Sequence, residues 1–71
     1  MNIAQCKMAR AALGLGVRDL ARLAGVSQDT ISRLERGEAL KVSTRLKIRN
    51  ALESAGIEFI DKNGGGVKLK E

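Results

Sequence analysis

The sequence predicts a mainly α domain, in which four helices form one core and a β-hairpin ends the chain. Apolar residues recur at helical spacing in four segments that glycines separate. Residues 57–71 change to strand-like alternation on both sides of the consecutive glycines 64–66. Because 71 residues leave room for one core, we expect residues 1–56 and the hairpin of 57–71 to form a single domain.

The first helix is predicted over residues 2–13, with Asn2 as its N-cap and Gly14 as its stop. Cys6 lies on its apolar face and is interpreted as a small buried hydrophobic residue rather than a redox sensor. The second helix is predicted over residues 18–24, and Gly25 supplies the backbone freedom for a tight turn. Its core face is expected to consist of Leu20, Leu23 and Ala24.

The third helix is predicted to start after the N-cap Ser27 and to run from about residue 28 to residue 36, before Gly37. Ser43 is expected to cap a fourth helix that continues through residue 55. The inward side of that helix is expected to consist of Ile48, Ala51, Leu52 and Ala55, with Leu46 exposed. Since an isolated hairpin is marginally stable in water, the terminal hairpin must dock on the helices or pair with another chain.

Composition restricts the possible functions. Thirteen Lys and Arg against eight Asp and Glu give a net charge of +5, which favours polyanionic partners. Without histidine, and with one cysteine, the sequence offers no Cys/His metal site, so neither a metal nor a cofactor is expected. The sequence contains no signal-peptide pattern and no apolar run near the roughly 20 residues that span a bilayer, so a cytoplasmic protein without membrane attachment is expected. The lack of a nucleophile beside a base argues against an enzyme.

Residues 20–37 contain the most specific pattern of the sequence. It combines the small residues Ala24 and Gly25 with Ile31 and Leu34 at core spacing, and it ends in Leu-Glu-Arg-Gly. This pattern resembles the helix-turn-helix of the Cro and phage-repressor (XRE-like) family of small prokaryotic transcription regulators, and the resemblance covers about residues 3–55. It implies a compact λ-repressor-like domain that binds double-stranded DNA with the third helix in the major groove.

The outward side chains at the start of the third helix are the candidates for contact with bases. They are Gln28, Asp29, Ser32 and Arg33, with Ser27 able to reach either bases or backbone. Gln28 can bond adenine bidentately, and Arg33 can bond guanine or a phosphate. Because a carboxylate close to phosphates is costly, Asp29 either selects an amino group of cytosine or adenine or pairs with a nearby arginine.

Three further cations are candidates for phosphate contacts, with plain surface charge as the alternative: Arg18, Arg36 and Lys41. In the family that the sequence resembles, an arginine of the first helix pairs with the glutamate that closes the third, which implies a structural ion pair between Arg10 and Glu35. Many relatives carry Ser or Thr followed by a phosphate-binding Gln at the start of helix two. This sequence has Gly16 and Val17 there, and Val17 is interpreted as an apolar staple at the helix entry.

The predicted function is a homodimeric regulator on a pseudo-palindromic operator, associated with the nucleoid when bound, because one recognition helix reads few base pairs. Repression by occlusion of a promoter is the simplest outcome, with activation through RNA polymerase as the alternative. A rival hypothesis is a protein-interaction role, antitoxin-like or as a co-regulator, through the helical body, the hairpin or Leu46. The residues expected at a dimer interface are Leu46, Ile57, Phe59, Val67 and Leu69.

Overall fold

A computed structural model describes residues 1–63 and 65–70, and it contains four α-helices followed by a two-stranded antiparallel sheet. The elements are α1 (Ile3–Ala12), α2 (Val17–Ala24), α3 (Gln28–Glu35), α4 (Val42–Ser54), β1 (Ile57–Ile60) and β2 (Gly66–Leu69). The predicted mainly α fold with a terminal hairpin is therefore confirmed. Gly64, part of the predicted glycine turn, lies outside the described residues. Among the helices described, none combines the length and apolar character that crossing a bilayer requires.

The helix ends explain which boundary predictions are right. Asn2 caps α1 reciprocally with Gln5, because each side chain accepts from the other residue's backbone N–H at 2.8 Å. Ser27 caps α3, since its Oγ accepts from the backbone N–H of Thr30 at 3.1 Å. The predicted N-cap of α4 is wrong. Helix α4 begins at Val42, so Ser43 lies inside its first turn and makes no cap hydrogen bond.

Helix α2 begins at Val17, one residue before the predicted start at residue 18. Gly16 precedes it and donates its backbone N–H to Asp19 Oδ2 at 2.9 Å, which ties the first turn to its entry. Val17 is the first helical residue and packs against the core. The interpretation of Val17 as a staple is therefore wrong, because a staple residue stands before the cap rather than within the helix.

The core is aliphatic and includes residues from every helix and from β1: Cys6, Ala9, Leu20, Ala21, Ile31, Leu34, Ile48, Leu52 and Ile57. Two predicted core positions are wrong. Leu23 is 51% exposed, because Leu20 and Ala21 define the buried side of α2 and Leu23 lies at its edge. Ala55 is exposed because it follows the last residue of α4.

The hairpin docks on α1 and α4, which satisfies the first of the two alternatives for its stability. Ile57 pairs with Leu69 and Phe59 with Val67, and this side of the sheet packs on the helices. Ile57 has no exposed surface. Its prediction as a dimer-interface residue is wrong, because the chain's own core already buries it.

The residue that fastens the hairpin was not predicted from the sequence. Gln5 of α1 is 1% exposed, and its Nε2 donates to the carbonyl oxygens of Ile60 at 3.0 Å and Gly66 at 3.1 Å. Asp61 Oδ1 lies 3.3 Å from the same nitrogen. The two strands are thus held to α1 by one buried amide, as well as by apolar packing.

Candidate nucleic-acid interface

The turn between α2 and α3 consists of residues 25–27 and is built by backbone geometry. Gly25 has φ 70° and ψ 35°, a left-handed conformation that costs glycine little. The N–H of Val26 donates to the carbonyl of Ala21 at 3.0 Å, and that of Gly25 donates to Arg22 at 3.3 Å. These two bonds close α2 in the manner of a Schellman motif, so α3 starts in a fixed direction.

Helix α3 divides its side chains between the core and the solvent. Ile31 is fully buried and Leu34 is 3% exposed, which fixes the helix against the rest of the domain. The predicted base-reading residues lie away from that core face: Gln28 and Asp29 are exposed, and Ser32 and Arg33 are half-buried. Their spacing of four places Gln28 above Ser32 and Asp29 above Arg33. The start of α3 therefore offers a polar outer side with hydrogen-bonding groups.

Ser27 and Thr30 stand beside this surface but are engaged with each other. Their side-chain oxygens lie 2.8 Å apart, in addition to the cap bond that Ser27 makes. Each hydroxyl retains capacity for a further hydrogen bond. Ser27 is thus held in place by its capping role and remains exposed to a ligand on the α3 side.

Two arginines flank the start of α3. Arg18 and Arg22 are both exposed, and they line a shallow cleft with Ser27 and Gln28. Arg18 was predicted from the sequence as a phosphate contact, whereas Arg22 was not. The signal for Arg22 was available, because residues four apart share one side of a helix and Arg22 follows Arg18 at that spacing. The two guanidinium groups thus place positive charge beside the first turn of α3.

Cations also lie near and beyond the end of α3, together with an acidic group that was not predicted from the sequence. Glu38 Oε1 accepts from Arg33 Nε at 3.1 Å, and Glu38 Oε2 accepts from Arg36 Nη2 at 2.9 Å and Nε at 3.2 Å. Hydrogen bonds from Arg36 and then Arg33 hold the pKa of the Glu38 carboxyl below its usual value. Lys41 is exposed and shares a cleft with Thr30 and Arg33.

Asp29 takes part in none of the ion pairs among the described residues. Of the two alternatives for this carboxylate, the structure therefore does not contain the pairing with a nearby arginine. Arg33 pairs with Glu38 instead. Asp29 is exposed in the first turn of α3, where the helix dipole favours a negative charge.

Arg10 and Glu35 lie on the opposite, inner side of the motif. Arg10 Nε and Nη2 donate to the two carboxylate oxygens of Glu35, each at 3.0 Å, and Arg10 Nη1 donates to the carbonyl of Leu15 at 3.2 Å. The hydrogen bond to Glu35 raises the pKa of Arg10. The structure brings the two expected partners together and connects α1 to the last residue of α3.

Cys6 is a third member of this inner cluster. Its Sγ lies 3.6 Å from Glu35 Oε2, and the residue is fully buried. Burial, reinforced by the charge and hydrogen bond of Glu35, raises the pKa of the Cys6 thiol to about 12 despite the opposing charge of Arg10. The thiol is therefore a neutral donor at ordinary pH.

Within residues 1–63 and 65–70, no group of three or more acidic, cysteine or histidine side chains is arranged to hold a metal ion.

Comparison with known proteins agrees with this geometry. No curated protein matches the chain. The sequence profile of the helix-turn-helix domain family matches residues 4–53, which takes in both helices of the motif and the Arg10–Glu35 pair. The match covers more than half of the chain and indicates a DNA-binding regulator. This protein therefore belongs to the helix-turn-helix domain family.

Proposed function

We propose that this protein is a sequence-specific transcription repressor that binds a pseudo-palindromic operator in double-stranded DNA as a homodimer. Its role is binding rather than catalysis. The observation that carries the proposal is the polar outer side of α3, bordered by Arg18 and Arg22 at its start and by Lys41 beyond its end. An α-helix fits the major groove, and cations near both ends of that helix can contact the phosphates that border the groove.

Side-chain chemistry assigns the contacts. Gln28 can donate to and accept from adenine, and Arg33 can donate two hydrogen bonds to guanine. Asp29 accepts from the amino group of cytosine or adenine, because an ionised carboxylate has no proton to donate. Ser32 reaches a base or the backbone. The phosphate contacts are assigned to Arg18, Arg22 and Lys41, which steer the protein onto DNA without reading its sequence.

The size of the domain supports a dimer. The longest dimension of the described chain is 27 Å, which is less than the roughly 34 Å between successive major-groove segments on one side of DNA. One copy therefore reads one half-site. Apolar surface for self-association is present on α4, where Val42 is 74% and Leu46 is 50% exposed. The hairpin offers less exposed apolar surface than α4. Leu69 is 46% exposed, but most of the apolar side of the hairpin faces the helices.

The test is selection of preferred sites from random DNA, followed by affinity measurements on the selected duplex. We expect Gln28→Ala and Arg33→Ala to lose preference at separate base positions, each by roughly 1 to 3 kcal/mol. Asn50→Ala is the matched control for the amide, because Asn50 is exposed on α4. Lys68→Ala, on the exposed side of β2, is the control for the lost charge. An unchanged preference in both α3 variants would contradict the assignment of base contacts.

Self-association requires a point substitution rather than a truncation. Deletion of residues 57–71 would remove Ile57 from the core and so confuse unfolding with loss of the dimer. We expect Leu46→Lys to give monomers in sedimentation experiments and Leu69→Lys to leave the dimer intact. The reverse result would assign the dimer to the hairpin, and a monomeric wild type bound singly to its operator would refute the homodimer.

A second candidate function is a contact with another protein, and the same α4 surface favours it. Met1, Val42 and Leu46 line a cleft together with Arg45 and Arg49. DNA binding through several phosphates weakens steeply as salt rises, whereas an apolar protein contact does not. A protein that binds no DNA at low salt, but whose binding of a protein partner is insensitive to salt, would favour this second function.

A further inference from the structure

The backbone turn that ends α3 holds Glu38 beside the polar outer side of that helix. The backbone N–H of Glu38 donates to the carbonyl of Arg33 at 3.0 Å, and that of Gly37 donates to Leu34 at 3.0 Å. Gly37 has φ 90°, which allows the chain to reverse in this Schellman arrangement. Glu38 is therefore bound to Arg33 twice, through its backbone N–H and through its side-chain carboxylate.

The two arginines that Glu38 contacts are engaged in different ways. Arg36 uses Nε and Nη2, so one edge of its guanidinium lies against the carboxylate. Arg33 uses Nε, and its hydrogen bond to Glu38 involves neither terminal nitrogen. The two terminal nitrogens of an arginine can donate together to guanine O6 and N7 in an end-on contact. A contact through Nε therefore orients Arg33 and leaves its base-reading end available.

We propose that Glu38 is a specificity-determining positioning residue: it holds Arg33 for end-on contact with a base and reduces the attraction of Arg36 for phosphate. This role rests on the proposed function. In this role Glu38 does not touch DNA but acts through Arg33 and Arg36. An ionised carboxylate on two guanidinium groups leaves the trio with one net positive charge rather than two.

The two parts of this role shift DNA binding in opposite directions when Glu38 is removed. Arg36 is then able to contact a phosphate, so affinity for any DNA sequence rises and depends more steeply on salt. Arg33 loses its orientation, so the preference for its base falls. A merely structural role would lower both affinities together through unfolding. A simple charge effect would raise both and leave their ratio unchanged.

The experiment compares the wild type with Glu38→Ala on three duplexes: the selected site, that site with the Arg33-dependent base pair replaced, and unrelated DNA. We expect Glu38→Ala to bind unrelated DNA several-fold more tightly at low salt. Its slope of log K against log salt should steepen by about 1, the value for one added phosphate contact. Discrimination at the replaced base pair should fall at least five-fold. Glu53→Ala is the matched control, because Glu53 pairs with Arg49 on α4 and its loss changes the net charge equally.

A double-mutant cycle separates action through Arg33 from any other effect. In an Arg33→Ala background, Glu38→Ala should cause no further loss of discrimination, whereas an additive loss would overturn the proposal. Retained discrimination in Glu38→Ala, or an equal fall in Glu53→Ala, would also overturn it. A wild type without any sequence preference would refute the proposed function and this role together. A wild type whose preference survives in Glu38→Ala would refute the role of Glu38 alone.

Discussion

Arg10 and Glu35 form a bidentate ion pair whose two hydrogen bonds both measure 3.0 Å. This pair joins α1 to the last residue of α3. The Glu35 side chain is 10% exposed and that of Arg10 is 24% exposed. A carboxylate so far removed from water depends on its partners, and Cys6 supplies one more donor. The pair thus fixes the position of α3 from behind, while the opposite side of α3 remains available to a ligand.

We expect Arg10→Ala and Glu35→Ala to lower the free energy of unfolding by about 2 to 3 kcal/mol. This is less than the roughly 3 to 5 kcal/mol for breaking a fully buried pair, because part of Arg10 stays in water. Denaturant unfolding measures the change. Glu53→Ala, which breaks an exposed pair with Arg49, should cost far less. A variant with wild-type stability but lost DNA affinity would contradict the structural role.

Stability should fall at alkaline pH because of Cys6. Its folded-state pKa of about 12 lies above the ordinary value of 9.0, so the folded protein holds the thiol proton more tightly than the unfolded chain. The stabilisation is fully present below pH 9 and is lost as pH rises from 9 towards 12. The loss per pH unit is at most about 1.4 kcal/mol for one proton.

Thermal unfolding between pH 8 and pH 11 tests the contribution of Cys6. The control is Cys6→Ala, which removes the thiol but retains a small apolar side chain. We expect the variant to be less stable at pH 8 and to lose stability less steeply than the wild type above pH 9. Parallel curves would show that folding does not raise the pKa of the Cys6 thiol, and would contradict the prediction.

Gln5→Ala should loosen the hairpin. Its amide nitrogen donates to the carbonyls of Ile60 and Gly66, and both backbone acceptors would lose this donor. We expect a cost of about 2 kcal/mol and faster hydrogen exchange at β1 and β2. Asn2→Ala is the control, because it removes the α1 cap without removing the Gln5 amide and should cost about 1 kcal/mol. Unchanged exchange in the strands of Gln5→Ala would contradict this role.

Ser27 and Ser43 provide a matched test of helix capping. Ser27→Ala should cost about 1 kcal/mol, because the backbone N–H of Thr30 loses its side-chain acceptor, the Ser27 hydroxyl. Ser43→Ala should change stability by less than about 0.5 kcal/mol, since Ser43 lies within α4 and caps nothing. Chemical denaturation of both variants measures the difference. Equal costs would mean that the hydroxyl of Ser27 contributes little to the start of α3.

The parts of the fold that could be predicted depend on neighbours in the chain. Asn2, Ser27 and Gly25 act on backbone groups a few residues away, so the limits of α1, the turn and α3 follow from local patterns. The start of α4 could not be predicted in this way. Lys41 and Ser43 stand at either side of Val42, and the helix begins one residue before the better capping residue.

The sequence by itself determined a small basic helical domain with a helix-turn-helix, because apolar spacing, capping residues and glycine positions encode these elements locally. Only the tertiary structure decided how residues distant in the chain are used. It committed Ile57 to the core and Gln5 to the hairpin, and it tied Glu38 to Arg33 beside the polar side of α3. These roles depend on which surfaces meet when the helices pack, and no periodicity along the chain records that geometry.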